Sequence, residues 1–191
     1  MAYYVRLMRA EDIARVSEID REIFPTMKIP TNFESELKNC LAHYIVVCED
    51  RISVFEENEP AACENIIGYA GLWILVGEAH IVNIAVKLEY RCKGIGELLL
   101  ISLFEMALGE NCKLVTLEVR PSNIIAQSLY EKYGFTVRGV RKGYYTDNRE
   151  DAVIMTVDNI SSNLFEERYK KLKIEHYTRW GFAKIKLTAS L

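Results

Sequence analysis

The chain has 191 residues, of which 50% are hydrophobic and 27% are charged, and its formal net charge is −3. A chain of this length can bury roughly 70% of its unfolded surface, so we expect one domain that needs no disulfide or metal for stability. The negative charge argues against a protein that coats nucleic acid, and the 4 prolines and 10 glycines exclude collagen-like and low-complexity classes.

The N-terminus has no basic run followed by an apolar run, so no secretory signal is predicted. The most apolar stretch, residues 95–108, is interrupted by Glu97, Ser102 and Glu105 and is too short to span a bilayer. The 5 cysteines include no Cys-x-x-Cys pair, and there are 3 histidines. We therefore expect reduced thiols, no metal site and a cytoplasmic location.

The first part of the chain predicts helices that follow a strand. Residues 3–8 are rich in Tyr and Val and predict that strand. Apolar residues three to four positions apart predict an amphipathic helix over 11–23, which Pro25 ends because the residue before a proline avoids helical geometry. Residues 31–34 fit a capping box and predict a second helix to about Cys40.

A run of strands and then an alternation of helices and strands follows. The predicted elements are a strand over 44–48, a polar loop over 50–65, strands over 66–75 and 78–86 joined near Gly77, a helix from Gly94 to about Leu108, a strand over 114–119, a helix over 123–133 ended by Gly134, and strands over 135–141 and 151–157. This order predicts an α+β domain over residues 1–160, with three layers and a mixed sheet flanked by helices.

Residues 161–191 differ in charge from the rest and are expected to form an extension. They contain seven basic and three acidic residues. Phe165, Tyr169, Leu172 and His176 fall on one helical stripe, so the extension is predicted to begin as a helix. Its basic side chains could contact a nucleic acid or face water, and we expect a solvated face.

A glycine-containing turn connects a predicted strand to a predicted helix. Its sequence over residues 91–96 is Arg-Cys-Lys-Gly-Ile-Gly. The first N–H groups of a helix have no partner within it, the helix dipole favours an anion there, and glycine lets an oxygen atom approach the backbone. The turn therefore predicts a pyrophosphate site, although a strand-to-helix turn with glycine for geometry alone would have the same sequence.

Two familiar nucleotide-binding motifs do not match this turn. The P-loop pattern G-x-x-x-x-G-K-[ST] is absent, and Leu99 stands where the dinucleotide pattern G-x-G-x-x-G needs its third glycine. A phosphate-bearing ligand other than ATP or NAD is therefore expected.

Several strings in family order resemble the GCN5-related N-acetyltransferases, the GNAT family, and together they span residues 3–158. Residues 91–96 are similar to the family signature R/Q-x-x-G-x-G/A. Further similar strings lie at 83–86, 117–120, 122–123, 129–135, 144–145 and 149–155. Within the family the chain resembles the RimI type, which acetylates the N-terminal alanine of a small-subunit ribosomal protein.

The resemblance implies the GNAT acyl-CoA N-acyltransferase fold, with a mostly antiparallel sheet of about seven strands. It implies acetyl-CoA as co-substrate, without a metal, in a gap where two parallel strands over 81–86 and 114–119 splay apart. The residues that the resemblance assigns to acetyl-CoA are Ile84, Ala85, Val86, Arg91, Cys92, Lys93, Gly94, Ile95, Gly96, Glu97, Asn123 and Tyr130. Glu97 departs from the family pattern, and we expect its side chain to point away from a phosphate.

The resemblance also assigns Glu118 as general base and Tyr130 as general acid for direct attack of an amine on a thioester in a ternary complex. Glu118 fits that role if its site raises its pKa, and a tyrosine can give a proton to the leaving thiolate. From the residues alone, Glu118 could be a solvated residue and Tyr130 a core tyrosine. Tyr144 and Tyr145 either line a peptide groove or pack a hairpin, and Cys92 is expected to be a loop cysteine rather than a nucleophile.

An α-amine suits this chemistry better than a lysine side chain does. Near pH 7.4 about a quarter of α-amines are neutral, against about 0.1% of lysine amines. The expected partner is the free N-terminus of a peptide or protein, a ribosomal protein among them, with no membrane and no direct nucleic-acid contact. The alternatives are a lysine, polyamine or antibiotic amine as acceptor, and a non-catalytic acetyl-CoA-binding or RNA-binding module.

Overall fold

The computed structural model describes residues 2–25, 30–50 and 65–187. Within these residues the centre is an eight-stranded sheet in the order β6-β7-β5-β4-β3-β2-β1-β8. The strands are β1 (Ala2–Leu7), β2 (Ala42–Asp50), β3 (Asn65–Leu75), β4 (Glu78–Val86), β5 (Leu114–Val119), β6 (Thr136–Arg141), β7 (Ala152–Asp158) and β8 (Lys184–Lys186). Neighbouring strands run antiparallel except in the β4–β5 and β1–β8 pairs.

Helices cover both faces of this sheet. They are α1 (Ile13–Ile23), α2 (Phe33–Glu36), α3 (Ile95–Gly109), α4 (Ile124–Lys132) and α5 (Asn163–Trp180). Side chains of α1 and α2 belong to one apolar cluster with the sheet, and those of α3, α4 and α5 belong to the other. The predicted α+β architecture with a mixed sheet is confirmed.

Strand β2 shows why a helix layer is needed on each face. Ile45 and Val47 belong to the cluster that contains α3, whereas Val46 and Cys48 belong to the cluster that contains α1. All four side chains are fully buried. Successive side chains of a strand point to opposite faces, so a strand segment with four consecutive apolar residues must be covered on both faces.

Helix α3 is buried on nearly all sides. Its side chains with at most 2% exposure are Ile95, Leu98, Leu99, Leu100, Ile101, Ser102, Leu103, Phe104 and Ala107. The buried hydroxyl of Ser102 donates to the carbonyl of Leu98 over 2.9 Å, which satisfies it within the helix. A helix that is apolar all round needs cover on every side, and here the sheet covers one side and α5 the other.

Helix α2 is shorter than the sequence predicts. It ends at Glu36 instead of continuing to Cys40, and its N-cap is Asn32, whose Oδ1 accepts a hydrogen bond from the amide of Ser35 over 3.1 Å. A turn follows in which the amide of Ala42 donates to the carbonyl of Asn39, and this turn leads directly into β2. The central part of the predicted polar loop, residues 51–64, lies outside the described residues.

The extension folds back onto the rest of the chain. Its helix α5 is followed by β8, which pairs in parallel with Tyr4, Val5 and Arg6 of β1. No helix among the described residues has the length and apolar character needed to cross a membrane.

Strands β4 and β5 separate halfway along their length. Their parallel ladder joins Glu78–Ile81 to Leu114–Leu117 and then ends, although both strands continue. The pairing of β4 with β3 shifts at the same place, because Gly71 faces Asn83 while Leu72 faces Ile81. Val82 is therefore the extra residue of a bulge, and a bulge bends its strand. The splayed pair of strands that the resemblance implied is confirmed, and it opens a gap in the sheet.

Candidate active site

A cavity of about 620 Å³ lies where β4 and β5 separate. Both strands contribute to its wall, and so do the end of α1, the segment that leads into α4, and the turn between β6 and β7. The predicted site residues that line it are Ile84, Glu118, Asn123, Tyr130, Tyr144 and Tyr145. The gap thus brings together residues that are up to 61 positions apart in the chain.

Glu118 lies at the point where β5 leaves β4, and its side chain is 7% exposed. Its Oε2 lies 2.5 Å from Nε2 of His80, and its Oε1 lies 3.1 Å from Nη2 of Arg141. The hydrogen bond from His80 and the charges of His80 and Arg141 hold the pKa of Glu118 below its usual value, although burial acts in the opposite direction. The condition set for Glu118 as a general base, a raised pKa, is therefore not met. Glu118 is an ionised carboxylate at neutral pH rather than a solvated surface residue.

His80 is a cavity residue that the sequence analysis did not single out. It lies on β4, directly opposite Thr116 of β5 in the parallel ladder. Glu118 is two residues further along β5 than Thr116, so it is on the same face of the sheet as His80. The histidine side chain is about one-third exposed, toward the cavity. This arrangement makes His80 and Glu118 a hydrogen-bonded pair at the cavity wall.

Tyr130 is both a buried tyrosine and a wall residue of the cavity. Its ring packs against Phe135 with 5.6 Å between ring centroids, and the residue is 9% exposed. Burial, and to a smaller extent Tyr145, raises the pKa of Tyr130 above the usual tyrosine value. The phenol therefore stays protonated throughout the neutral range and is a hydrogen-bond donor.

Tyr144 and Tyr145 lie side by side in the turn between β6 and β7. Their rings meet edge to face with 5.2 Å between centroids. The guanidinium of Arg120 lies 3.7 Å from the centroid of the Tyr145 ring, and that of Arg141 lies 5.7 Å from the Tyr144 ring. Burial raises the pKa of Tyr145 to about 12. Both tyrosines therefore line the cavity and are fixed by neighbouring rings and cations.

Arg120 connects the end of β5 to the turn between β6 and β7. Its Nη2 binds both carboxylate oxygens of Asp147 at 2.9 and 3.0 Å, and its Nη1 binds Glu150 at 3.0 Å. Glu150 also accepts a hydrogen bond from the amide of Ser122 over 2.9 Å. These contacts fix the turn that carries the two tyrosines. Arg120, Asp147 and Glu150 are site residues that the sequence does not predict.

Further carboxylates line the opposite side of the cavity. Glu36 accepts hydrogen bonds from the indole of Trp73 over 2.7 Å and from the hydroxyl of Tyr44 over 3.1 Å. Asp20 is buried and accepts a hydrogen bond from the hydroxyl of Tyr69. Together with Glu118, Asp147 and Glu150, these give the cavity wall five carboxylates against one guanidinium, that of Arg120.

The glycine turn lies at the start of α3 and contains two residues with left-handed backbone. Cys92 has a φ of 58° and Gly94 a φ of 75°. The amide of Leu98 is bonded to the carbonyl of Gly94, so the preceding amides at the helix start have no partner inside the helix. Left-handed residues placed between others turn successive amides toward one side, which forms an anion-binding concavity.

The two glycines of this turn have different surroundings. A Cβ atom on Gly94 would lie 2.6 Å from Cδ1 of Trp180, whereas the nearest atom to a Cβ on Gly96 is 4.0 Å away, in Val86. Space for an oxygen atom beside the backbone is therefore present at Gly96, while the indole of Trp180 fills it at Gly94. The sequence analysis did not predict any role for Trp180.

Charged side chains of the turn have partners in neighbouring elements. The guanidinium of Arg91 donates to the carbonyl of Val86 over 3.3 Å, and Nζ of Lys93 lies 5.1 Å from the centroid of the Tyr90 ring. Oε1 of Glu97 binds Nζ of Lys132 at 2.6 Å and the hydroxyl of Tyr133 at 2.8 Å. The carboxylate of Glu97 is therefore directed to α4.

The gap and the turn together fit the acetyl-CoA that the resemblance implies. Residues 84–86 pair with β3 on one side only, because β5 has already diverged on the other. Their free edge can pair with the amides of a pantetheine arm, and the turn at 92–97 offers unpaired amides to a diphosphate. Oδ1 of Asn123 caps α4 by accepting from the amide of Ala126 over 3.2 Å, and its amide nitrogen can face the arm.

Among the described residues, no group of three or more His, Cys, Asp or Glu side chains is arranged to hold a metal ion. Cys92 is exposed in the turn, and its sequence neighbours supply no histidine.

Comparison with known sequences gives consistent matches. The acetyltransferase (GNAT) family model matches residues 13–135. A Bacillus subtilis protein with the provisional name ribosomal protein bS18-alanine N-acetyltransferase is 42% identical over 154 residues, which cover 80% of this chain and 93% of that protein. An N-alpha-acetyltransferase of Saccharolobus solfataricus is 36% identical over 155 residues, which cover 80% of this chain and 91% of that protein.

Solved structures share the fold at lower sequence identity. The ribosomal-protein-S18-alanine N-acetyltransferase from Escherichia coli superposes with a TM-score of 0.67 and 24% identity, covering 82% of this chain and 94% of that one. Arabidopsis thaliana NAA60 in complex with acetyl-CoA superposes with a TM-score of 0.69 and 18% identity, covering 82% of this chain and 98% of that one.

Proposed function

The chain belongs to the acetyltransferase (GNAT) family, and on that basis we propose that it transfers an acetyl group from acetyl-CoA to the free N-terminal amine of a protein. The observation that carries this proposal is the pair of Glu118 and His80, which lies in an acidic cavity at the point where two parallel strands separate. The acceptor we propose is the N-terminal alanine of a small-subunit ribosomal protein, as the names of the relatives suggest, and such an acceptor is found in the cytoplasm.

The charge of the cavity suits an amine that arrives as a cation. Asp20, Glu36, Asp147 and Glu150 lie around the wall in addition to Glu118. Opposite charges in a cleft raise the local concentration of a charged substrate and help to orient it. An N-terminal ammonium group would therefore be drawn toward Glu118, where it must lose a proton before it can attack.

The lowered pKa of Glu118 favours an acceptor that needs little help in losing that proton. A carboxylate that stays ionised is a weak base, and it would remove a proton from a lysine ammonium, with a pKa of about 10.4, only with difficulty. An α-ammonium with a pKa of about 7.7–8.0 is partly neutral already. A weak base at this place therefore favours an N-terminal acceptor over a lysine side chain.

We assign the base to the pair rather than to Glu118 alone. When neutral His80 donates to Glu118 through Nε2, the lone pair of its Nδ1 can accept a proton from the amine. The carboxylate then stabilises the imidazolium that forms. Position and charge, rather than a raised pKa of the carboxyl, would make the pair effective.

Acetyl-CoA, when bound, would supply the thioester carbonyl that the amine attacks. The main chain of Ile84, Ala85 and Val86 would hold the arm, and the amide of Val86 would face the oxygen that becomes negative. Tyr130 would donate a hydrogen bond to the leaving sulfur, because its raised pKa keeps the hydroxyl protonated. Arg91 to Glu97 would hold the diphosphate through their main chain.

The experiment that tests the proposal uses three closely related peptides with acetyl-CoA. The first has a free N-terminal alanine, the second a blocked N-terminus and an internal lysine, and the third a blocked N-terminus and no lysine. We expect acetylation of the first peptide alone, located by mass spectrometry.

Acetylation of the second peptide alone would reassign the enzyme to lysine side chains. If none of the peptides is acetylated but CoA binds, the N-terminal acceptor is wrong, and small amines or a non-catalytic binding role would replace it. A ribosomal acceptor is tested with purified small-subunit proteins, of which one should be modified at its N-terminal alanine.

A further inference from the structure

Helix α5 of the C-terminal extension touches the turn at residues 92–97, which we call the diphosphate turn. Nε2 of His176 lies 3.0 Å from the carbonyl oxygen of Gly94, and His176 is 3% exposed. The indole of Trp180, one helical turn further on, occupies the place where a Cβ of residue 94 would lie. Two side chains of the extension thus contact the same glycine, one at its carbonyl and one at its Cα.

The remainder of α5 is fixed along α3. The hydroxyl of Tyr169 donates to the carbonyl of Ile101 over 3.1 Å and to Glu105 over 2.6 Å, and Nζ of Lys173 lies 2.7 Å from Glu105. The ring of Phe104 packs against that of Tyr169 with 5.6 Å between centroids. Because α5 is attached to α3 by these contacts, His176 and Trp180 have a defined position relative to the diphosphate turn.

The contact at the carbonyl also fixes the chemistry of the histidine. A carbonyl oxygen only accepts, so Nε2 of His176 carries the proton and donates it to Gly94. Nδ1 is buried and has no hydrogen-bond partner among the described residues. His176 therefore acts as a donor, and its one side-chain hydrogen bond among the described residues is made to the diphosphate turn.

We infer that α5 positions the diphosphate turn for ligand binding and that His176 and Trp180 are its positioning residues. Gly94 has a φ of 75°, and a glycine is free to leave this conformation unless its surroundings hold it. The hydrogen bond at its carbonyl and the indole at its Cα hold it. The amides that follow are thereby oriented before a ligand arrives, which lowers the entropy lost on binding.

This inference rests on the proposed function, because the ligand of the turn is the diphosphate of CoA. The family match ends at residue 135, before α5 begins, so His176 and Trp180 lie beyond that match while Gly94 lies within it. If α5 positions the turn, its variants should lose binding affinity for a ligand that has the diphosphate and keep it for a ligand that has only the acyl-bearing arm. CoA and pantetheine distinguish these two cases, because both ligands have the arm and pantetheine has no diphosphate.

The test measures the dissociation constants of both ligands, by calorimetry for CoA and by competition for pantetheine. In Trp180→Ala and His176→Leu we expect CoA to bind about tenfold more weakly and pantetheine to bind as it does to the wild type. His176→Gln keeps a donor for the Gly94 carbonyl and should recover part of the loss. Phe182→Ala is the matched control, because it removes an exposed aromatic residue of the same segment that packs on Tyr177.

The possible results separate the inference from the proposed function. If the wild type binds CoA no more tightly than pantetheine, the turn does not bind the diphosphate and the proposed role of residues 92–97 fails. If the wild type prefers CoA and both variants keep that preference, the inference is overturned. Equal weakening of both ligands also overturns it, because α5 would then support the whole site and not the turn. Should His176→Leu fail to fold, Trp180→Ala decides, since Trp180 is only half-buried and lies at the helix end.

Discussion

Nε2 of His80 lies 2.5 Å from Oε2 of Glu118, and the two residues come from the two strands that separate immediately beyond them. The gap between β4 and β5 that makes room for a substrate therefore begins beside the two residues that can take the proton of the substrate amine. His80 lies within the paired part of β4, which holds its backbone firmly. The base is thus attached to the rigid part of the sheet, and the substrate gap begins beside it.

Replacement of either member of this pair should slow the reaction. We expect Glu118→Gln and His80→Gln each to lower kcat by about 10²–10⁴-fold, because general-base help is of that size, with CoA affinity within a few-fold of the wild type. The double variant should be little slower than either single variant, since two groups that act as one unit are lost together. Glu131→Gln, an exposed acid on α4, is the control. Independent, multiplying losses would show that the two residues do not act as a unit.

The lowered pKa of Glu118 also has a consequence for stability in acid. A carboxyl whose pKa is lower in the folded than in the unfolded state contributes stability above its unfolded value and loses it as the pH falls through the folded value. The free energy of unfolding of the wild type should therefore exceed that of Glu118→Gln at neutral pH, and the difference should shrink below pH 4.5. Urea unfolding at a series of pH values measures it. A difference that grows in acid would contradict the direction of the pKa shift.

The hydroxyl of Tyr130 should matter for the reaction and not for the fold. Tyr130→Phe keeps the ring that packs on Phe135 and removes only the donor at the cavity wall. We expect a lower kcat, an unchanged melting temperature within about 2 °C and a CoA affinity within a few-fold of the wild type. Tyr177→Phe, on α5, is the matched control. A wild-type rate in Tyr130→Phe would leave Tyr130 as a packing residue alone.

Replacement of Arg120 should weaken the binding of the acceptor peptide and leave the binding of acetyl-CoA unchanged. It binds Asp147 with two hydrogen bonds from one nitrogen and Glu150 with a third from the other, and lysine cannot reproduce this planar arrangement. In Arg120→Lys the turn that carries Tyr144 and Tyr145 should loosen. We expect the KM of the peptide to rise several-fold while the KM of acetyl-CoA stays the same. Arg138→Lys, an exposed pair with Asp158, is the control, and a change confined to acetyl-CoA would refute the assignment.

The sequence predicts local structure far better than it predicts which residues meet. Periodicity predicts β5 with its bounds and places Phe165, Tyr169, Leu172 and His176 on one helical stripe. In the structure three of these residues are buried and Leu172 is half-buried. The element that packs on that stripe could not be predicted, because helical periodicity does not specify which surface covers the apolar face. His80 was missed for a related reason: its place beside Glu118 depends on the register of a parallel pair of strands, which no short-range pattern specifies.

Strand β8 illustrates the limit most clearly. It has three residues, Lys184–Lys186, and two of them are lysines, so its sequence resembles a solvated tail. It forms because the chain that leaves α5 reaches the strand β1 and pairs with it in parallel. Long-range position, not local propensity, therefore decides that this segment is a strand.

Gly77 and Gly94 have nearly the same backbone conformation. A comparison of alanine substitutions at the two positions therefore separates the effect of Trp180 on residue 94 from the effect of conformation. Gly77 has a φ of 76° and no atom within 4 Å of its added Cβ, whereas Gly94 has a φ of 75° and Trp180 at 2.6 Å. Gly77→Ala should lower stability by about 1 kcal/mol, the usual cost of a left-handed non-glycine residue. Gly94→Ala should lower it by clearly more, because the indole must move as well. Urea unfolding of both variants measures the difference.

The clash makes a further prediction about a pair of changes. If the additional loss in Gly94→Ala comes from Trp180, then adding Trp180→Ala should recover it, and the double variant should be less destabilised than the sum of the two single changes. The same comparison with Gly77→Ala should be additive, because Gly77 has no neighbour that an added methyl would meet. Additive losses for Gly94 and Trp180 would show that the indole yields freely, and the close packing of α5 on the diphosphate turn would then impose no constraint on residue 94.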